Sequence, residues 1–241
     1  MTRPAFYTLE VGGWRDYVSL LHPPYTAWHL SYVILGAAAA PVVYPDRLAG
    51  CLLAFFLAVG IAAHALDEAH SRPLRTSIPT NLLFMVSAAA LAGALAIGIA
   101  AVFSIGPWAL PLVFFGGLMV PAYNLEWLGG RFHSDAWFAL AWGAFPAFVG
   151  YWANAERVEA ATLLIAAACF VLSLAQRALS TRVKRLRRTA TAVSGSIEFR
   201  DGTAEEISQD ELLEAPERAL RLLSAALPLL AVGWMVSRVA A

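Results

Sequence analysis

Four residues near the end of the second apolar stretch, His64, Asp67, Glu68 and Ser71, fall at i, i+3, i+4 and i+7, which is one face of a helix. Carboxylates placed this way can hold Mg2+, a cation that favours oxygen ligands and binds together with substrate phosphates. His64 joined to Asp67 or Glu68 offers instead a nitrogen-and-oxygen set suited to Zn2+ or Fe2+. A plainer role is also open to these acids: ending a helix in headgroup water, paired with Arg72 or Arg75. The other candidates gather at corresponding places. His29 lies near the start of the first apolar stretch. Asn124, Glu126, Arg131, His133 and Asp135 fill the connection between the fourth and fifth, and Gln176, Arg177, Ser180 and Arg182 close the sixth. His29 and His133 read as hydrogen-bonded interface residues or as metal ligands. Ionisable groups at membrane depth are costly, so each is a functional candidate.

The elements that must position these residues are apolar helices. Of the 241 residues 59% are hydrophobic and only 14% charged, against about a quarter charged in a soluble domain. A helix needs roughly 20 mainly apolar residues to span a bilayer. Seven stretches qualify: 26–44, 47–67, 80–103, 106–125, 135–153, 157–178 and 219–238. In the third, Ala88, Ala92, Ala96 and Ala100 form a small-residue stripe suited to close helix approach. With the N-terminus inside, the inner segments hold fourteen Lys and Arg and the outer ones three, which predicts a cytoplasmic N-terminus and an external C-terminus. Every candidate site residue then falls on the cytoplasmic side. The zero net charge gives no general attraction to nucleic acid. Cys51 and Cys169 lie in separate apolar stretches and read as small core residues.

The chain divides into four parts. Residues 1–25 form an N-terminal segment with an interfacial helix, whose stripe Trp14, Tyr17, Val18 and Leu21 lies in the headgroup layer before Pro23-Pro24. Residues 26–180 are a six-helix membrane core. Residues 181–216 are a polar cytoplasmic insert, beginning with the basic run Arg182 to Arg188. This insert contains a hairpin signal around Asp201-Gly202 and a capping box, Ser208 with Glu211. Residues 217–241 carry the seventh transmembrane helix.

The order of these features resembles the UbiA-type intramembrane prenyltransferases. WRDYVSLLHPPYTAWHLSYVILGA corresponds to that family's interfacial helix and first span, and HALDEAHSRPL (64–74) to its metal-binding motif with a following Arg-Pro-Leu. YNLEWLGGRFHSDAWFALAWGAFPAFVGYW (123–152) corresponds to its Tyr-led basic connection. The resemblance implies an all-α integral membrane bundle and Mg2+-assisted transfer of a prenyl group from its diphosphate. On that basis Asp67 and Glu68 hold the metal, and Arg72 faces the diphosphate or supports the loop. Tyr123 and Arg131 match the donor-side Tyr and basic residues, and Asp135 the acidic position after them. The family's second acidic motif is missing, since residues 175–186 contain no acid. Arg177 and Arg182 stand there and can neutralise phosphate directly. Two other functions compete: a metal-dependent membrane enzyme of non-prenyl chemistry using His64, Glu68, His29 and His133, and a lipid-binding or transport protein without catalysis.

Overall fold

Prolines and capping residues set the helix ends. In the computed structural model, which describes residues 4–240, α1 is the short helix Trp14–Leu20, and α2 runs Pro23–Ala39. Pro23 occupies the first turn of α2, where a missing N–H costs nothing. α3, Pro45–Ser71, also opens on proline and passes through a π-helical stretch, Phe56–Ala63, before its last turns His64–Ser71. α4 is Thr80–Ser104 and α5 is Ala109–Asn124. α6 joins Asp135–Ala139, a second π-helical stretch Leu140–Ala144, and Phe145–Ala155. α7 is Ala160–Thr189 and α8 is Gln209–Ala240. Between these last two, β1 (Ser196–Glu198) pairs antiparallel with β2 (Ala204–Glu206) across the expected turn.

The chain is therefore all-α but for one small hairpin. Among the described residues, four helices, α3, α4, α7 and α8, are long and apolar enough to cross a membrane. Each of the seven apolar stretches lies mainly on one helix, the first overrunning the end of α2 by five residues, and two shifts at helix ends are informative. α7 does not stop at the basic run but continues through it, because residues 160–189 contain neither Gly nor Pro. α8 starts ten residues before the seventh apolar stretch. The Ser208 hydroxyl accepts from Glu211 N (3.2 Å) and Ser208 N donates to the Glu211 carboxylate (3.2 Å), the expected capping box.

Helix α2 lies at the centre, between α6 and α8. Trp28, Tyr32 and Val33 are fully enclosed, and the Trp28 indole donates to the Tyr32 hydroxyl at 2.5 Å. α2 and α6 run parallel and touch through backbone at Gly36 and Gly150. A Cβ on Gly36 would stand 2.0 Å from Ala147 O, and one on Gly150 2.2 Å from Val33 O. The alanine stripe of α4 is not the packing face. Leu83, Ser87, Ala90 and Ala94 are buried, whereas Ala88, Ala92, Ala96 and Ala100 are exposed. The reason is a hydrogen bond: the Ser87 hydroxyl donates to Ala62 O (3.0 Å) in the π stretch of α3 and fixes the rotation of α4.

The two ends of the bundle differ in chemistry. At one end, Arg47 pairs with Glu156 (2.6 Å) and donates to Ala153 O (2.9 Å), while Arg238 donates to Ala40 O and Pro41 O, both at 3.0 Å. From this end an apolar cavity of about 290 Å³ runs inward between α3, α4, α5 and α6, walled by Gly50, Ala54, Ala58, Gly98 and Gly116. It reaches Phe55 and Phe145, whose rings meet edge-on at 5.6 Å. Both cysteines are free: Cys169 is buried in the core and Cys51 lines this cavity.

Candidate functional site

The opposite, polar end is where α2, α4, α6 and α8 begin and where α3, α5 and α7 finish, so the sequence candidates meet there. The adjacent acids of α3 have different surroundings. Glu68 is fully buried, and its carboxylate accepts from Leu74 N (2.9 Å), Thr76 N (2.8 Å) and the Thr76 hydroxyl (2.9 Å). Arg72, in a left-handed conformation at the end of α3, donates to Ile78 O (2.7 Å), Thr76 O (3.3 Å) and the Thr80 hydroxyl. These two side chains fold the loop between α3 and α4. All the hydrogen bonds of the Arg72 side chain among the described residues go to this loop and the start of α4.

A third residue holds the same loop from α1. Asp16 accepts from Gly12 N (2.9 Å), Ser77 N (2.8 Å) and the Ser77 hydroxyl. Burial opposes its charge, but these hydrogen bonds outweigh it and keep the carboxyl below its ordinary range. Asp16, Ser19 and Leu20 therefore face the protein, leaving Trp14 and Tyr17 exposed on the other side.

Asp67, by contrast, is half-buried, and its carboxylate has no hydrogen bond or ion pair with the described residues. Around it stand rings. The His64 and His22 rings stack at 4.0 Å, and His22 Nδ1 lies 2.9 Å from the Tyr7 hydroxyl. His22 sits in a left-handed conformation just before Pro23, an unusual backbone state for a buried non-glycine residue. Burial lowers its basicity well below the ordinary imidazole range, and His64, Lys184 and Arg188 push the same way. His29 is buried, with Nδ1 2.8 Å from Trp142 O in the π stretch of α6; His64 Nδ1 is 3.2 Å from Gly60 O. A carbonyl only accepts, so Nδ1 carries the proton in both rings, and Nε2 presents a lone pair.

The second half of the site comes from α5, α6 and α7. Tyr123 is buried, stacked on His133 at 4.5 Å and tilted against Trp142 at 4.7 Å, and His133 Nδ1 bonds Tyr123 O (3.1 Å). Asn124 is turned back onto its own helix, donating to Val120 O (2.7 Å). Arg177 pairs with Asp135 at 2.7 Å and lies over the Phe138 ring. Arg131 is exposed. Arg182 is exposed too, lining an open surface depression on the flank of α7 together with Asp135, Thr181 and Arg185. The structure thus brings His29, His64, Asp67, Tyr123 and Arg177 to one end of the bundle, while Arg131 and Arg182 lie at its surface.

Three buried polar atoms here have no partner among the described residues: Tyr123 Oη, Gln176 Oε1 and Arg188 Nε. Gln176 lies on the buried face of α7, one turn beyond Ser173, whose hydroxyl reaches Tyr32 (3.3 Å). Tyr7, His22, Tyr25 and Lys184 were not among the sequence candidates. Tyr7 and Phe6 pack against Tyr25, so the N-terminal segment roofs this end. Among the described residues, no group of three or more His, Cys, Asp or Glu side chains is placed to hold a metal. Compared with protein-family models, with characterised proteins and with solved structures, the chain matches none.

Proposed function

We propose that the chain is a membrane-embedded enzyme of UbiA-like architecture that acts on a prenyl or other lipid substrate at the polar end, by prenyl transfer or a related rearrangement. In this reading seven helices cross the bilayer, the N-terminus is cytoplasmic, and the site opens to the cytoplasm. The carrying observation is the set of unpartnered groups inside an apolar bundle: Tyr123 Oη and Gln176 Oε1 buried without hydrogen bonds, and an Asp67 carboxylate with neither hydrogen bond nor ion pair among the described residues. Each such group costs roughly 1–3 kcal/mol, a cost that a bound polar head removes. The apolar cavity on the far side of Phe55 and Phe145 offers room for a hydrocarbon chain.

The residues fit a protein-held metal poorly. The Glu68 carboxylate is occupied by three donors, so Asp67 is the one acid of that pair free to meet a ligand. The chemistry we assign to the chain rests on its own groups. Tyr123 and Gln176 orient the head, Asp67 takes up or hands on a proton, and the Nε2 lone pairs of His29 and His64 are the neighbouring bases.

The test is release of inorganic diphosphate from a panel of prenyl diphosphates by the purified chain, with and without Mg2+. Asp67→Ala is expected to reduce turnover a hundred-fold or more. Its melting temperature should change little, because the Asp67 carboxylate has no hydrogen bond or ion pair to lose and only a longer-range attraction to Lys184. No release from any donor, or full turnover in Asp67→Ala, would sink the enzyme reading in favour of lipid binding. Orientation has its own check: a cysteine at Ser104 should react with an impermeant reagent added outside, and one at Gly195 should not. The reverse pattern would place the site on the other face.

A further inference from the structure

The polar end holds more unneutralised positive charge than that reading uses. On α7, Ser180, Lys184 and Arg188 follow one another at i, i+4 and i+8, so Lys184 and Arg188 continue a line that is buried at Ser180. Both are half-buried, and neither has a hydrogen bond or ion pair with the described residues; the Nε of Arg188 is fully enclosed. Lys184 lies within electrostatic range of Asp67, Arg177 and Asp135, and Arg188 within range of Tyr7, His22 and Tyr25.

The neighbouring charges are already engaged. Arg177 is paired with Asp135, and Arg187 grips Glu217 with two nitrogens. Glu68 is held by backbone donors, and Arg72 is committed to the loop beside it. What remains is two cations against one free carboxylate, Asp67. Two half-buried cations held beside a single free carboxylate leave an excess of positive charge that a bound anion would offset.

We infer that Lys184 and Arg188 bind the phosphate or diphosphate head of a lipid directly, without a metal. This inference deepens the proposed function and rests on its premise that the polar end takes a lipid. Lys184 supplies a point charge and Arg188 a directional N–H, the two usual ways of holding phosphate oxygens. Tyr25, whose hydroxyl makes no hydrogen bond with the described residues, stands beside Arg188 as a further donor. Lys184 falls within residues 175–186, the stretch that contains no acid, and Arg188 lies one turn beyond Lys184 on the same helix. They are the inward-facing pair, Lys184 and Arg188, rather than Arg177, which is paired, or Arg182, which faces outward.

The experiment is calorimetric titration of the full chain, in nanodiscs of phosphatidylcholine, with inorganic diphosphate in excess EDTA. Binding is expected in EDTA, weakened about ten- to a hundred-fold by Lys184→Ala and by Arg188→Ala. Lys184→Arg should retain much of it, and Arg182→Ala, at the surface, should change it little. Competition from added phosphatidylglycerol would assign the head to a bilayer phospholipid; no competition would assign it to a soluble or prenyl diphosphate. Binding that needs Mg2+, that survives Lys184→Ala, or that Arg182→Ala weakens as much, overturns the inference, as does no binding at all. Lys184→Gln, which keeps the stem, guards against a fold artefact and should weaken binding at an unchanged melting temperature. Because turnover is not the readout, diphosphate binding without catalysis would keep this site and remove the enzyme reading alone.

Discussion

Gly150→Ala and Gly36→Ala are each expected to cost the bundle about 3 kcal/mol or more, although each adds a single methyl group. Overpacked cores usually lose about 1–3 kcal/mol because neighbouring side chains can shift. Here the obstacle is main chain. The new carbon would lie 2.2 Å from Val33 O in one case and 2.0 Å from Ala147 O in the other, so two helices must separate. α2 is the central helix, and moving it disturbs α8 as well. For a chain of this size the loss corresponds to a fall in melting temperature of roughly 6–12 °C in detergent. Gly233→Ala is the control, since nothing lies within 4 Å of its added carbon. Variants at Gly36 and Gly150 that melt with the native chain would show that α2 and α6 do not touch in this way.

The second large effect separates two adjacent acids. Glu68→Ala leaves Leu74 N and Thr76 N without their acceptor in a buried place, and each orphaned donor costs roughly 1–3 kcal/mol. A total loss of about 3–5 kcal/mol is expected, read as a lower melting temperature and as faster proteolysis of the loop at residues 72–79. Glu68→Gln should fare little better, because one of its two positions would then present N–H to a donor. Asp67→Ala should leave stability nearly unchanged. A Glu68→Ala protein that is inactive yet as stable as the native chain would return Glu68 to the role of ligand.

This contrast shows where sequence reasoning reaches its limit. The spacing of His64, Asp67 and Glu68 places all three on one face, and the structure agrees that they share one end of the bundle. What satisfies Glu68, however, is backbone N–H six and eight residues further on, and no residue type announces those donors. The alanine stripe of α4 misleads for a similar reason: small residues permit close approach, but a single hydroxyl, Ser87, decides which face makes it. Helix positions, the Ser208 capping box and the Asp201-Gly202 hairpin are legible because their causes are local. Lys184 and Arg188 were not singled out by the sequence. A count of positive charge treats the run from Arg182 to Arg188 as one patch, and it takes the burial of Ser180 in the fold to show which two members turn inward. His22 and Tyr7 gave less warning, since only the fold brings residue 7 against the start of α2.

The π-helical stretch Phe56–Ala63 has a consequence for how the chain can vary. Within it each residue advances through a smaller angle than in an α-helix, so the turns beyond Ala63 are out of phase with those before Phe56. The segment before it walls the apolar cavity, and the segment after it carries His64, Asp67 and Glu68. The aim of those three side chains is therefore written partly in a residue count. Deleting one alanine or leucine inside the stretch would scarcely alter its hydropathy, yet in a regular helix it swings everything downstream by about 100°. Lineages of this protein should accordingly tolerate exchanges of residue type between Phe56 and Ala63 far more readily than any change in their number.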